Sequence, residues 1–449
     1  FQGIANRMPC HSAVRGFGGK SCVGLLVTAL GFCRRSCGQS GWNRRALVLA
    51  GSALPVAYSR SSGLPHDTVC PSRRTGDLPE SANSTMHVGV VGAGVSGLVL
   101  ADQLRKALGE GVRVTVLEWG RGPGGRTARR RMKVETGEEV AFDHAAPFFS
   151  ASTSAFRSGL LKEWEARGLA QRWLPRRGAA EADEELWVGT PSNHAICKAL
   201  ESDLADARNS ILFGRHAQKA EFVGGRWQVT ATNRLEKDAV ELYSFDALVL
   251  SDKLLAQPGQ QYNILAPEDI SSVKPSLPPV LRSSGQVVLL LAFSSPLPVD
   301  LDMVRPSAGP LALLVRDSSK PQRSATLETW TVRSTPEYAD MHLIGERLDD
   351  EAAVVEELRG AFFQALELPS PVESSVTAAF PWDHAQPLEG DRLPEPFSLD
   401  AGRAIGFCGD FYGAKEASGV EAAALSGLAL GNELAKMVGK KAEQIPSGL

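Results

Sequence analysis

The stretch Met86–Gly120, MHVGVVGAGVSGLVLADQLRKALGEGVRVTVLEWG, constrains this chain more than any other. Val88, Val90 and Val91 make a short apolar strand, and Gly92-Ala93-Gly94-Val95-Ser96-Gly97 fits G-x-G-x-x-G. Leu98, Leu100, Ala101, Leu104 and Leu108 then recur at helical spacing, so a helix starts at the motif. Val112, Val114, Val116 and Leu117 predict a second strand, ending at Glu118. Gly92 permits the tight turn, Gly94 lets backbone approach a pyrophosphate, and Gly97 lets helix and strand pack closely. Unbonded N–H groups at the helix start, with its dipole, suit phosphate. Glu118 stands about 20 residues past the motif, where a carboxylate can accept bonds from ribose hydroxyls and repel a 2′-phosphate. The segment predicts a dinucleotide-binding α/β unit.

The chain carries 449 residues and a net charge of −3, which argues against a dedicated nucleic-acid binder. No apolar run reaches the roughly 18 residues of a membrane-spanning helix. The histidines show no pair at metal-ligand spacing, so no metal is expected. There is no G-x-x-x-x-G-K-[ST] loop and no G-x-S-x-G elbow, which sets aside P-loop and nucleophile-elbow chemistry.

Residues 1–85 are different material. Arg7, Arg15, Lys20, Arg34, Arg35, Arg44, Arg45 and Arg60 precede the first acid, Asp67. Cys10, Cys22, Cys33, Cys37 and Cys70 fall here, whereas only Cys197 and Cys408 follow. This composition reads as a removable targeting leader and linker, directed to an organelle, a plastid before a mitochondrion.

After the acid comes Glu118-Trp119-Gly120-Arg121-Gly122-Pro123-Gly124-Gly125-Arg126-Thr127. This resembles the acid-then-GGR segment of the amine-oxidase-type flavoproteins. Ala404-Ile405-Gly406-Phe407-Cys408-Gly409-Asp410, followed by Gly419-Val420-Glu421, resembles the strand–Gly-Asp–helix segment that completes their FAD sites. Phe142–Phe149, Trp187–Pro191, Arg316–Pro321 and Phe380–Pro387 are similar to segments of the renalase-like branch. The resemblance spans roughly residues 86–438. It implies non-covalent FAD, with Gly125 and Arg126 beside the cofactor, Ala217 near adenine, Gly409 and Asp410 along the ribityl chain and pyrophosphate, and Gly419 and Val420 at a helix start facing the pyrimidine edge. Two departures bear on substrate. Val420 stands where true amine oxidases place an aromatic residue, and no lysine takes the place of their flavin-N5 water partner. Both weigh against monoamine oxidation.

The resemblance implies a two-domain α/β flavoprotein, a Rossmann-like FAD-binding domain with an inserted antiparallel-sheet substrate domain. The expected division is 86–150, 197–255 and 376–440 for FAD, 151–196 and 256–375 for substrate, and 441–449 as a tail. Arg226–Thr230 and Phe245–Leu250 read as strands returning to the nucleotide domain. Gln286–Phe293 and Leu311–Val315 read as strands of the second domain, and Glu351–Leu366 as an amphipathic helix with Val355, Leu358 and Phe362 inward. The acidic run Glu181–Glu185 reads as a solvated loop. Candidate pocket residues are Phe148, Phe149, Trp382 and His384. The expected reaction is hydride transfer from a small-molecule substrate to flavin, with molecular oxygen as acceptor and no membrane span in the mature chain. A renalase-like activity would take dihydronicotinamide isomers. An amine oxidase, a desaturase or porphyrinogen oxidase, and a flavin-free binding module of the same fold are the alternatives.

Overall fold

The computed structural model describes residues 85–443, except 179–183, 207, 257–261, 267–268 and 270–281. The leader and most of the acidic run lie outside the described residues.

In chain order, β1 (Met86–Val91), α1 (Val95–Leu108) and β2 (Val112–Glu118) form the opening unit, each where the apolar pattern places it. There follow α2 (His194–Leu204), β3 (Ser210–Phe213), β4 (Arg215–Val223), β5 (Arg226–Asn233), β6 (Ala239–Phe245) and β7 (Ala247–Leu250). The second half holds β8 (Ser283–Phe293), β9 (Met303–Val304), β10 (Leu311–Arg316), β11 (Glu328–Ser334), α3 (Glu351–Ala365), β12 (Val376–Pro387), β13 (Ser398–Asp400), β14 (Ile405–Phe407) and α4 (Gly419–Glu443).

A six-stranded sheet runs β13-β14-β7-β1-β2-β3, parallel apart from the antiparallel edge strand β13. β1 is buried on both faces between helices and the small sheet, which is why it reads as a continuous apolar run rather than an alternation. One face carries α1, α2 and α4 in a core with Leu98, Leu104, Leu200, Leu430 and Leu434; Phe156, Leu160 and Trp164 join the same core. The segment 151–166, expected with the substrate domain, therefore shares its core with the nucleotide helix. The other face packs against β4-β5-β6 through Trp227, Val229 and Phe245. Arg226–Thr230 thus lies in this separate antiparallel sheet, while Ala247–Leu250 alone rejoins β1.

The second sheet, β9-β10-β11-β8-β12, is antiparallel throughout. Odd-numbered β8 residues Val287, Leu289 and Leu291 face α3, whose buried side is Val354, Leu358, Phe362 and Phe363. Val355, expected inward, is only partly buried. The helix phase puts Val354 in its place, four residues before Leu358. β12, expected with the FAD segments, hydrogen-bonds along β8 from Val376 to Pro387. Its backbone therefore belongs to the antiparallel sheet.

Among the described residues no helix is long and apolar enough to cross a membrane.

Candidate cofactor and substrate cavity

The β1–α1 turn is held by three hydrogen bonds, two of them backbone to backbone. Gly92, at φ 106°, donates to Leu117, Gly124 donates to Ala93, and Ser251 Oγ donates to the Val91 carbonyl. Only glycine accommodates that φ without strain. At Gly97 a Cβ would lie 2.2 Å from the Gly92 carbonyl, so helix and turn touch there. Gly427 on α4 similarly lies against Ser96, where a Cβ would come within 2.2 Å of its carbonyl oxygen.

Beside this turn lies a cavity of about 830 Å³. Gly92, Gly94, Val95, Ser96, Glu118, Gly125, Arg126, Ala217, Gly409, Asp410, Gly419 and Val420 line it, as do Phe148, Phe149, Trp382 and His384. Two expected residues do not. Ala93 is fully buried and contributes its N–H to Glu118, and Gly97 serves the packing just described. Cys197 and Cys408 are buried away from the cavity, with burial pushing both thiols up to about 12.

Glu118 accepts from the N–H of Ala93 (2.7 Å) and of Gly120 (2.6 Å). Burial raises its carboxyl above the ordinary value, and the two donors partly offset this. A carboxylate offers about four lone-pair sites, so two remain for hydroxyl donors. Arg126 is committed within the protein. It forks onto Asp410 (2.6 and 2.7 Å) and donates to the Ala385 carbonyl (3.1 Å), which strengthens its hold on the proton. This pair ties the GGR loop, the end of β12 and the turn after β14 into one wall. Glu421 is fully buried and accepts from the backbone of Ser152 and Thr153 and from the Thr153 hydroxyl, anchoring the start of α4.

The residues present fit a dinucleotide laid against backbone. A Cβ at Gly94 or Gly419 would meet no protein atom within 4 Å, and one at Gly125 only the Gly94 Cα at 3.6 Å. These cavity-lining positions leave room that the protein itself does not fill.

Several lining residues escaped the sequence reading. Trp119 stacks on His216 with centroids 4.8 Å apart, and Tyr262 leans on it. Trp119 directly follows the ribose-binding candidate, and that adjacency was the available signal. Arg333 also reaches the cavity. Its signal was a charged residue inside a strand whose neighbours, Val332 and Ser334, are buried. The neighbouring basic run Arg129–Arg131 does not line the cavity; Arg130 stacks on Phe380 at 4.2 Å and Arg131 faces Glu139.

Residues 90–164 match the family model described as an NAD(P)-binding Rossmann-like domain. Among solved structures, the chain is similar to a candidate protoporphyrinogen oxidase from Exiguobacterium sp. 255-15, with TM-score 0.55 and 11% identity, covering 79% of this chain and 99% of that one. It is also similar to a protein from Pyrococcus furiosus, with TM-score 0.50 and 12% identity, covering 78% and 98%. At these identities the likeness establishes a shared fold: an α/β dinucleotide-binding domain joined to antiparallel sheet.

Proposed function

We propose that this chain is an oxidoreductase that holds one FAD non-covalently and oxidises a small-molecule substrate, with molecular oxygen as acceptor. The observation that carries the reading is the convergence of Glu118, the Gly94–Ser96 helix start, Gly125, Asp410 and Gly419 on one cavity. The family model names NAD(P), but a single nucleotide motif does not account for the second glycine loop and the second helix start. Bound flavin would supply a two-electron acceptor at N5 and a route from its reduced form to oxygen, giving hydrogen peroxide.

The protein's own contributions are positional. Glu118 accepts ribose hydroxyls, and the amides opening α1 face phosphate. The start of α4, with Gly419 and Val420 on the cavity, would offer its positive dipole end to the negative charge of a reduced flavin. Phe148, Phe149 and Trp382 line the same cavity and would exclude water from a substrate held there. Cys197 and Cys408 stand off the cavity, which supports non-covalent binding.

Within this class we favour a renalase-like oxidation of dihydronicotinamide isomers. Val420 lines the cavity without an aromatic ring, and no described lining residue is a lysine, which supports this over amine oxidation. A porphyrinogen oxidase is the second reading, favoured by the Exiguobacterium relative's name. Its substrate calls for a long apolar passage, whereas this cavity carries Arg215, Arg333, Glu346, Asp383, His384 and Arg392. Anaerobic mixing of the flavin-loaded protein with candidate reductants tests the assignment. Dihydronicotinamide isomers are expected to bleach the visible flavin band, with peroxide released on admitting air. Bleaching by primary amines alone, or by none of the reductants, would refute it.

A further inference from the structure

Among the described residues four arginines line the cavity, and three are spoken for. Arg126 forks onto Asp410, Arg215 pairs with Glu241, and Arg392 donates to the backbone carbonyls of Tyr412 and Lys415. Arg333 differs. Its Nε donates to the amide oxygen of buried Gln286 at 2.7 Å, and no described carboxylate pairs with it. Its two terminal NH2 groups have no hydrogen-bond partner among the described residues. The side chain emerges on the cavity-facing surface of the antiparallel sheet. Arg333 is registered opposite Val288 on β8, and Gln286, on the same face of β8, opposite Trp382 on β12. The nearby cation Arg305 is engaged by Glu184 at 3.1 Å and lies 5.9 Å from the Phe148 ring centre. The lining acids Glu184, Glu346 and Asp383 form no ion pair with Arg333; Glu184 is taken by Arg305 and Asp383 lies 3.7 Å from His384.

A half-buried guanidinium without a counter-charge is unfavourable, and burial, followed by the field of Arg305, pulls its proton affinity down to about 10. The fork is held by Gln286 at one edge, which fixes the plane and leaves the outer edge for a two-oxygen acceptor. Aromatic walls, Trp382 and Phe148, line the same cavity.

We infer that Arg333 is the substrate-anchoring residue: it binds the carboxylate or phosphate of a substrate whose planar apolar body rests against Trp382 and Phe148. The inference rests on reading this cavity as the redox site, and it adds that the substrate is an anion oriented from the antiparallel sheet. Gln286 acts through Arg333 as a positioning residue.

The test uses benzoate, phenyl phosphate and the neutral isostere benzamide as probes of the full chain. Binding is followed by tryptophan fluorescence and calorimetry, with flavin content measured on the same samples. Benzoate or phenyl phosphate is expected to bind about tenfold or more tightly than benzamide, and whichever is the stronger names the substrate's anion. Arg333→Met should abolish that preference, and Arg333→Lys should keep part of it, since charge remains while the fork is lost. Both variants should retain the wild-type flavin content. Equal binding of the three probes, no binding of any, or an unchanged preference in both variants would overturn the inference. Should Arg333→Met not fold, the wild-type preference and the lysine variant still decide it. Arg333-dependent anion binding by a flavin-free protein would sink the flavin reading while leaving the anion site standing.

Discussion

Gly94 and Gly97 are three residues apart and carry opposite liabilities. A methyl at Gly94 would meet no protein atom within 4 Å and would project into the cavity. Gly94→Ala is therefore expected to cost less than about 1 kcal/mol of stability while lowering flavin affinity at least about tenfold. A methyl at Gly97 would sit 2.2 Å from the Gly92 carbonyl. Gly97→Ala should lower stability by about 1–3 kcal/mol before any effect on binding. Urea unfolding beside FAD titration of the two variants separates these outcomes, and equal effects on both quantities would refute the division. The same contrast explains what the motif reveals in advance. Glycine spacing and the acid at Glu118 are written in consecutive residues, because one turn makes the whole contact. The engagement of Arg126 by Asp410 joins residues far apart in sequence. Each was legible as cofactor-facing, but nothing local to either residue signals that they pair with each other.

At the level of elements, α1 and α4 cross closely at the cavity's base. Gly427 abuts Ser96, and Gly431 abuts Leu100 and Gln103. Gly427→Val is expected to force the helices apart and reduce stability by about 2–3 kcal/mol. It should also weaken flavin binding, since Ser96 and Val420 both line the cavity. Chemical denaturation and FAD titration of this variant check it, and full retention of both would show that the contact is dispensable. The β1–α1–β2 unit, β8, α3 and α4 were legible because each element is written in consecutive residues, as a helical period or an unbroken apolar run. The membership of β12 was not. Val376–Pro387 carries Pro381 and mixed polarity, and its assignment depends on pairing with β8, almost a hundred residues earlier in the chain. Arg226–Thr230 misled for the same reason: alternation predicts a strand but not which sheet receives it.

For the whole molecule, pH acts through buried rings. His144 lies among Phe380, Trp382 and the charge of Arg130; burial first, then Arg130, lowers it from 6.5 to about 4. His87 is lowered to about 4 as well, by burial first and then Arg113. In the unfolded chain these rings take up a proton near 6.5, whereas in the folded chain they do so only near 4. Stability from the neutral rings is therefore fully present above about 6.5 and falls as pH drops towards 4. For His144 alone the loss between pH 7 and pH 5 is about 2 kcal/mol. Urea midpoints at the two pH values should show it, with a smaller drop in His144→Phe; identical drops would remove His144 from the account.

The central claim concerns what occupies the space between Glu118 and the start of α4. Purified protein, denatured after exhaustive desalting, should release FAD at about one per chain, or take up one equivalent when FAD is added, with Gly94→Ala binding it at least about tenfold more weakly. A colourless protein that releases no flavin and shows no saturable uptake of added FAD would contradict the claim.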